Sequence, residues 1–469
     1  MSKSDYLSPE KLLSLLMGEK AKVYLSQAGQ RLNTVIRLNP FKAHPEDIIA
    51  FLNEIGFKLT PLSLYPLAYK IDYEPFPISK SILHFAGLVY LQDPCSMLPA
   101  LILNPKPKEK VLDLTAAPGS KTTLMATLME NKGILVAIDN SGKRLRALSY
   151  NLERWGAINT GWVQLLGEQA GTHFFETFDK VLVDPPCTAL GTLHKSPEIL
   201  RWWKESKVIK LARLQERLLI SGLKALKPGG ILIYSTCTLT PHENEAVIDG
   251  ILKRYPVELE EIILPPGFNP SPGLTKFLNF SFSDTLEKTI RLYPLDNPGE
   301  GFFIAKLRKK EKFRPPSKRP IASETENWKS YVEFKEIFQL AEHFGFSPEI
   351  FSSFYLLKHN TIRLAAKEMA EFTSPVSLQK GISFARIMGK TFRLTTNGIT
   401  FLAPFIKKNR IELDRFSLSM LISGRNLPAP LNHTAQQLIT HLNCPLGYGW
   451  IKEGKLLSQF PVRSFTPII

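Results

Sequence analysis

From Lys110 to Lys253 the sequence alternates strand-like and helix-like strings. "KVLDLT" is followed by "SKTTLMATLME", and "GILVAID" by "SGKRLRALSYNLERWG". Then come "GWVQLL", "FDKVLVD", the long "SKVIKLARLQERLLISGLKAL", "GGILIYS" and "HENEAVIDGILKR". Strands that alternate with helices build parallel βαβ units, so an α/β fold with a doubly wound, mostly parallel sheet is expected. Further on, "TIRLYP" and "GFFIAKLRK" read as two closing strands on an antiparallel edge.

At 469 residues the chain exceeds one ordinary domain. A small α+β unit is expected over 1–100, with helical spacing at 9–30 and 46–56 around the strand-like "TVIRLN". The alternating region falls within 101–310. The run "KLRKKEKFRPPSKRP" (306–320) is basic and proline-rich and reads as a tether, with 311–320 as the linker proper. A separate module over 321–469 starts helical and turns strand-rich.

The formal charge of +16, from 59 Lys plus Arg against 43 Asp plus Glu, favours a polyanionic partner, nucleic acid first. No apolar run approaches the ~20 residues of a membrane span. The opening "MSKSDYLSPEKLLSLLMGEK" has no signal-peptide core, so a cytoplasmic protein is expected. Cysteines stand at 95, 187, 237 and 444, without a C-x-x-C pair or a His cluster, so no metal is expected. Disulfides are not expected either. Cys95 and Cys444 read as small buried hydrophobes.

"VLDLTAAPGSKTT" (111–123) is strand, small-residue turn, helix. Ligands of open α/β sheets bind beyond the C-terminal strand ends. Thr115, Ala116, Ala117, Pro118 and Gly119 leave room for close backbone approach, and the helix opening at Ser120 and Lys121 favours an anionic group. The turn lacks both G-x-G-x-x-G and G-x-x-x-x-G-K-[ST], which argues against a dinucleotide and excludes a P-loop. Asp139 ends the next strand, where an acid grips ribose hydroxyls; its other reading is a helix N-cap near Ser141. A nucleoside with an amino-acid carboxylate and no pyrophosphate fits, namely S-adenosylmethionine.

Asp184 and Cys187 lie at the end of "VLVDPPC", and Cys237 at the end of the following sheet strand, inside "YSTCTLTPHENEAV". Both thiols and one carboxylate should therefore face the cofactor mouth, with Cys237 near a helix N-terminus that would lower its pKa. One chemistry needs this set. C5 of cytosine is a poor nucleophile until a thiolate adds to C6. An acid at N3 steadies the charge on the ring, and the C5 proton must leave before the thiol can.

"LDLTAAPGSKT", "DPPCTALGT", "YSTCTLTPHENEAV" and "RLYPLDNPGEGFFIAKL" resemble, in order, the signature blocks of the Sun/Fmu family of RNA cytosine-C5 methyltransferases. "QDPCSMLPALIL" and "KSPEILRWWKES" resemble two flanking blocks, and the resemblance spans about residues 20–310. It implies a Rossmann-like methyltransferase fold, Cys237 as nucleophile on C6, and Cys187 as the thiol needed for release. It also implies Asp184 at N3 and near the methionine end of the cofactor, Thr115 to Lys121 as the cofactor loop, and Asp139 as the ribose acid. The C-terminal module makes the chain most similar to the bacterial 16S-rRNA-methylating subgroup. It would be an RNA-binding extension, with a PUA-like form considered. RNA is then the partner, ribosomal (or the small subunit) first and transfer RNA second, and a monomer is expected.

Three departures stand out. "DPPCTA" replaces the family's D-A-P-C-S-G, putting Ala189 where a glycine stands. Leu166 takes the place of an adenine-reading Asp, with Glu168 the nearest acid. The terminal "CPLGYGWIKEGKLLSQFPVRSFTPII" matches no known extension. An amino-methyltransferase on adenine is a rival suggested by "DPP", but Cys187 stands where such enzymes need an aromatic. A non-catalytic ribosome-assembly factor is the other rival, opposed by the intact thiol pair.

Overall fold

In the computed structural model, which describes residues 7–317, 326–389, 391–429 and 434–461, the N-terminal unit holds an antiparallel sheet. Its strands are β1 (Val35–Leu38), β2 (Lys58–Pro61), β3 (Ala68–Tyr73) and β4 (Val89–Leu91), in the order β2-β3-β1-β4. The helix Pro45–Glu54 has proline in its first turn and Glu46 and Asp47 near its positive end, both helix-starting signals. It buries Ile48, Phe51 and Leu52, spaced three and four apart on one face.

The alternating region forms the expected large mixed sheet. Its five parallel strands are β5 (Lys110–Asp113), β6 (Ile134–Asp139), β7 (Thr160–Gln164), β8 (Phe178–Val183) and β9 (Leu226–Thr236), in the order β9-β8-β5-β6-β7. All six residues of β6 are buried, as a central parallel strand covered on both faces requires. The chain winds outward from β5 through β6 to β7, then crosses to β8 and β9. The strand order thus reverses between β5 and β8, the place where such sheets bind ligands. The closing strands run as expected: Phe302–Lys309 lies antiparallel to β9, pairing Phe303 with Thr236 and Arg308 with Ile231, and Ile290–Leu292 lies beyond it.

The tether reading needs correction over 306–309, which belong to the strand Phe302–Lys309. Lys306 and Arg308 point outward to Glu260, while Leu307 and Lys309 point inward. The Lys309 ammonium is fully buried and donates to the carbonyls of Leu223 (3.0 Å) and Leu226 (2.8 Å) and to Glu176 (3.0 Å). Two readings overlapped here, closing strand and tether, and over 306–309 the strand holds. Residues 310–317 carry neither helix nor strand, and 318–320 of the expected linker lie outside the described residues.

The C-terminal region has two sheets of its own. One is built from Phe354–Lys358, Thr361–Ala366, Ile382–Met388 and Thr391–Leu394. The other centres on Ala435–His441 and on Cys444–Lys452, the latter opening the string that matched no extension, whose residues 462–469 are not described. These sheets sit firmly on the rest. Gln379–Lys380 pairs antiparallel with β7 and extends the large sheet. Arg363 pairs with Glu153 at 3.1 Å. Phe51, Leu52 and Ile82 of the N-terminal unit share one core with Leu418, Ile439 and Leu446. Among the described residues no helix is long and apolar enough to cross a membrane.

Candidate active site

The loop after β5 carries the small residues. Ala116 is tied to β6 through Ile138 (2.8 Å). Gly119 turns the chain at φ +104°, and a Cβ there would press on Leu148. The helix Ser120–Leu128 starts at that glycine without a side-chain cap, leaving its first N–H groups available. Asp139 is buried at the end of β6. Its carboxylate accepts from the backbone N–H of Ala117 (3.3 Å) and Ser141 (3.0 Å), and Arg144 lies over it at 3.3 Å. The N-cap of the next helix is Ser141, which accepts from Arg144 N, so Asp139 is free of the capping role considered for it. Small loop, open helix end and rim acid together fit a ligand with ribose and carboxylate.

Leu166 is half exposed, and Glu168 pairs with Arg217 of the helix Glu205–Ala225 at 3.5 Å. The nearest acid to the departed position is therefore committed to that helix.

Asp184 emerges from β8 and is held from three sides. Lys121 donates to Oδ2 at 2.7 Å, Ser235 Oγ to Oδ1 at 2.9 Å, and Thr115 Oγ1 to its carbonyl at 2.8 Å. Lys121 also reaches Ser96 Oγ at 3.2 Å. Burial works against the ammonium of Lys121, but the negative groups around it, Asp184 first, together raise the pKa. Sequence placed Lys121 in the cofactor loop; its pairing with Asp184 links that loop to the chemistry.

The thiols of Cys187 and Cys237 meet at 3.4 Å, both partly exposed. Cys187 is pushed well above the ordinary thiol range, by its hydrogen bond to Cys237 first and then by burial. The expected helix N-terminus beside Cys237 is displaced: the helix begins at Glu245, and residues 238–244 form a buried turn. Glu243 and the threonines in that turn organise it. A β-sheet rim crowded with buried hydroxyls offers the chain better bonds than a helix would.

Backbone contacts lock the loops together. Gly191 N donates to Cys237 O (2.9 Å) and Gly301 N to Gly191 O (2.8 Å); a Cβ on Gly191 would collide with the carbonyls of Gly301 and Cys237. Ala189 adopts the left-handed conformation at φ 56°, where the family's glycine would sit without strain. Tyr24, from the helix Lys20–Ser26, roofs the site: its hydroxyl donates to Leu190 O and accepts from Leu193 N. A cavity of about 360 Å³ beside it is lined by Arg31, Lys70, His194 and Gly299.

Sequence reasoning missed Arg37 and Glu243. Arg37 reaches from β1, fully buried, to Gln92 (2.7 Å), Ser120 O (3.0 Å) and Thr123 Oγ1 (2.9 Å), between the rings of Tyr90 and Trp155. A lone arginine inside the apolar "TVIRLN" was the available signal. Among the described residues no cluster of His, Cys, Asp and Glu could hold a metal.

Residues 100–308 match the family model described as 16S rRNA methyltransferase RsmB/F. The chain is 30% identical over 433 residues to the ribosomal RNA small subunit methyltransferase F of Serratia proteamaculans, covering 90% of this chain and 88% of that protein. It is 39% identical over 287 residues to the tRNA (cytosine(49)-C(5))-methyltransferase of Pyrococcus abyssi, covering 59% of this chain and 88% of that one. Among solved structures, NSun6 from Pyrococcus horikoshii with SFG superposes at a TM-score of 0.57 with 26% identity, over 65% of this chain and 98% of that one.

Proposed function

The chain belongs to the 16S rRNA methyltransferase RsmB/F family of S-adenosylmethionine-dependent RNA cytosine-C5 methyltransferases, and from that premise we propose that it methylates a cytosine of 16S ribosomal RNA. The observation that carries the chemistry is the Cys187–Cys237 contact at 3.4 Å beside the Asp184–Lys121 pair. The target base leaves its stack to reach these groups. Cys237 adds to C6 as a thiolate. The Asp184–Lys121 pair faces N3, and the proton that Asp184 passes to N3 offsets the negative charge that thiolate addition puts on the ring. Thr115 to Lys121 and Asp139 would hold S-adenosylmethionine, which would supply the methyl group to C5. A base then takes the C5 proton, the electrons of that bond re-form the C5–C6 double bond, and Cys237 departs as a thiolate with Cys187 assisting.

Support for the ribosomal substrate comes from coverage. Similarity to the Serratia enzyme runs through the C-terminal sheets, whereas similarity to the transfer-RNA enzyme covers 59% of the chain. We assign the C-terminal region to RNA binding on that basis and on the +16 charge. Transfer RNA is the second reading, favoured by the higher identity of 39%. Bisulfite sequencing of RNA from a deletion strain tests both. One 16S cytosine should lose its mark and regain it with the purified enzyme; loss confined to transfer RNA would reverse the assignment.

A further inference from the structure

Two thiols 3.4 Å apart cannot both be ionised, so the pair shares at most one negative charge. Which sulfur carries it depends on the groups on either side. On the Cys237 side stands the Lys121 ammonium, paired at 2.7 Å with Asp184, whose other oxygen accepts from Ser235 two residues before that thiol. On the Cys187 side stands Glu243, whose side chain is fully buried. Its Oε1 accepts from the backbone N–H of Thr188 (2.9 Å) and from Gln215 Nε2 (2.9 Å), and its Oε2 accepts from Thr188 Oγ1. Burial pushes its pKa up, while every one of these partners is a donor, which opposes that rise and favours the anionic carboxylate. Among the described residues no ion pair neutralises it.

The same residues join the two loops. Thr188 follows Cys187 and Thr238 follows Cys237, and their hydroxyls meet at 2.9 Å; Thr238 continues to Thr240 at 2.9 Å. We propose that Glu243 is the positioning residue that selects the nucleophile: it fixes Cys187 against Cys237, and its charge keeps the proton on Cys187 and the shared negative charge on Cys237. The proposal rests on the cytosine-C5 reading and gives the thiol pair its asymmetry. The upward displacement of Cys187, to which Glu243 contributes after Cys237 and burial, agrees with it. Tyr24 near Cys237, and Asp184 and Tyr234 whose phenol burial keeps protonated, complete the titratable groups around the pair.

Alkylation by iodoacetamide, without RNA and resolved by peptide mass spectrometry between pH 6 and 9, reads the charge directly. In the wild type, Cys237 should react first. Glu243→Gln keeps the shape and removes the charge, and should move the Cys237:Cys187 labelling ratio about tenfold toward Cys187. Thr188→Val breaks the hydroxyl contact and keeps the charge, and should leave the ratio within about twofold while lowering kcat. Preferential labelling of Cys187 in the wild type overturns the proposal without requiring any variant to fold. So does an unchanged ratio in Glu243→Gln, or an equal change in Thr188→Val, which would assign the effect to packing. Wild-type methyl transfer to RNA is measured alongside; its absence would refute the underlying reading instead.

Discussion

Replacing Asp113 by Asn should stabilise the protein, and by more at pH 8 than at pH 5. Asp113 closes β5 with its carboxyl buried, accepting from Thr122 Oγ1 at 2.7 Å. Burial raises its pKa from 3.8 to about 7, against the hydrogen bond from Thr122 and the charge of Lys121, and with help from Asp184 and Asp139. The folded state therefore keeps a proton that the unfolded chain gives up near pH 3.8. The resulting stability is full below that pH and is lost as pH rises through about 7. The whole span is worth at most about 4 kcal/mol, and about 1.5 kcal/mol of it is already gone at pH 5. Asn is neutral throughout and still offers Thr122 an oxygen. The gain from Asp113→Asn should therefore grow by about 2.5 kcal/mol between pH 5 and pH 8. Urea unfolding followed by tryptophan fluorescence at the two pH values measures it. An equal gain at both, or a loss at pH 8, would show that the buried carboxyl is held ionised and that the argument is wrong.

Other outcomes follow from the site and its supports. Cys187→Ala should accumulate an RNA–protein adduct that survives denaturing electrophoresis and carries methyl label, while Cys237→Ala and the double variant form none; the reverse pattern would exchange the two roles. Asp139→Ala should weaken S-adenosylmethionine binding by at least about tenfold through lost hydrogen bonds to ribose, as read by calorimetry. Glu245→Gln breaks a fully buried pair with Arg291, whose guanidinium also holds Leu239 O, and should cost about 3–5 kcal/mol in urea unfolding. Ala189→Gly should raise stability by about 0.5–1 kcal/mol, because the left-handed strain relieved exceeds the entropy glycine adds to the unfolded chain.

The parallel sheet was legible because each βαβ unit is local: its strand and helix periods stand side by side in the text, from "KVLDLT" to "GGILIYS". Placing Asp184, Cys187 and Cys237 together needed little more, since all three close adjacent strands. What stayed hidden depends on distant partners. Arg37 meets Ser120 across 83 positions, and a window that reads local periods sees an odd charge in a strand. Glu243 looked like one of several acids before a helix; its bond to Thr188, 55 positions away, delays the helix to Glu245 and turns the residue inward. Lys309 was placed on a closing strand, but its burial stayed hidden for the opposite reason. Its neighbours are charged, so a lysine capping two carbonyls inside the fold could not be told from the lysines around it.

The core shared by the two ends of the chain has a consequence during synthesis. Phe51 and Leu52 emerge early, yet the surface that covers them includes Ile439 and Leu446, and Glu54 meets His441 across 387 positions. At about 5–20 residues per second, the N-terminal unit waits roughly 20–80 seconds with part of its apolar face uncovered. The large sheet has the same exposure at β7, whose outer edge stays open until Gln379–Lys380 arrives. Nascent chains stalled before residue 379 should therefore be the ones that holdase chaperones retain, and release should coincide with emergence of the last two sheets.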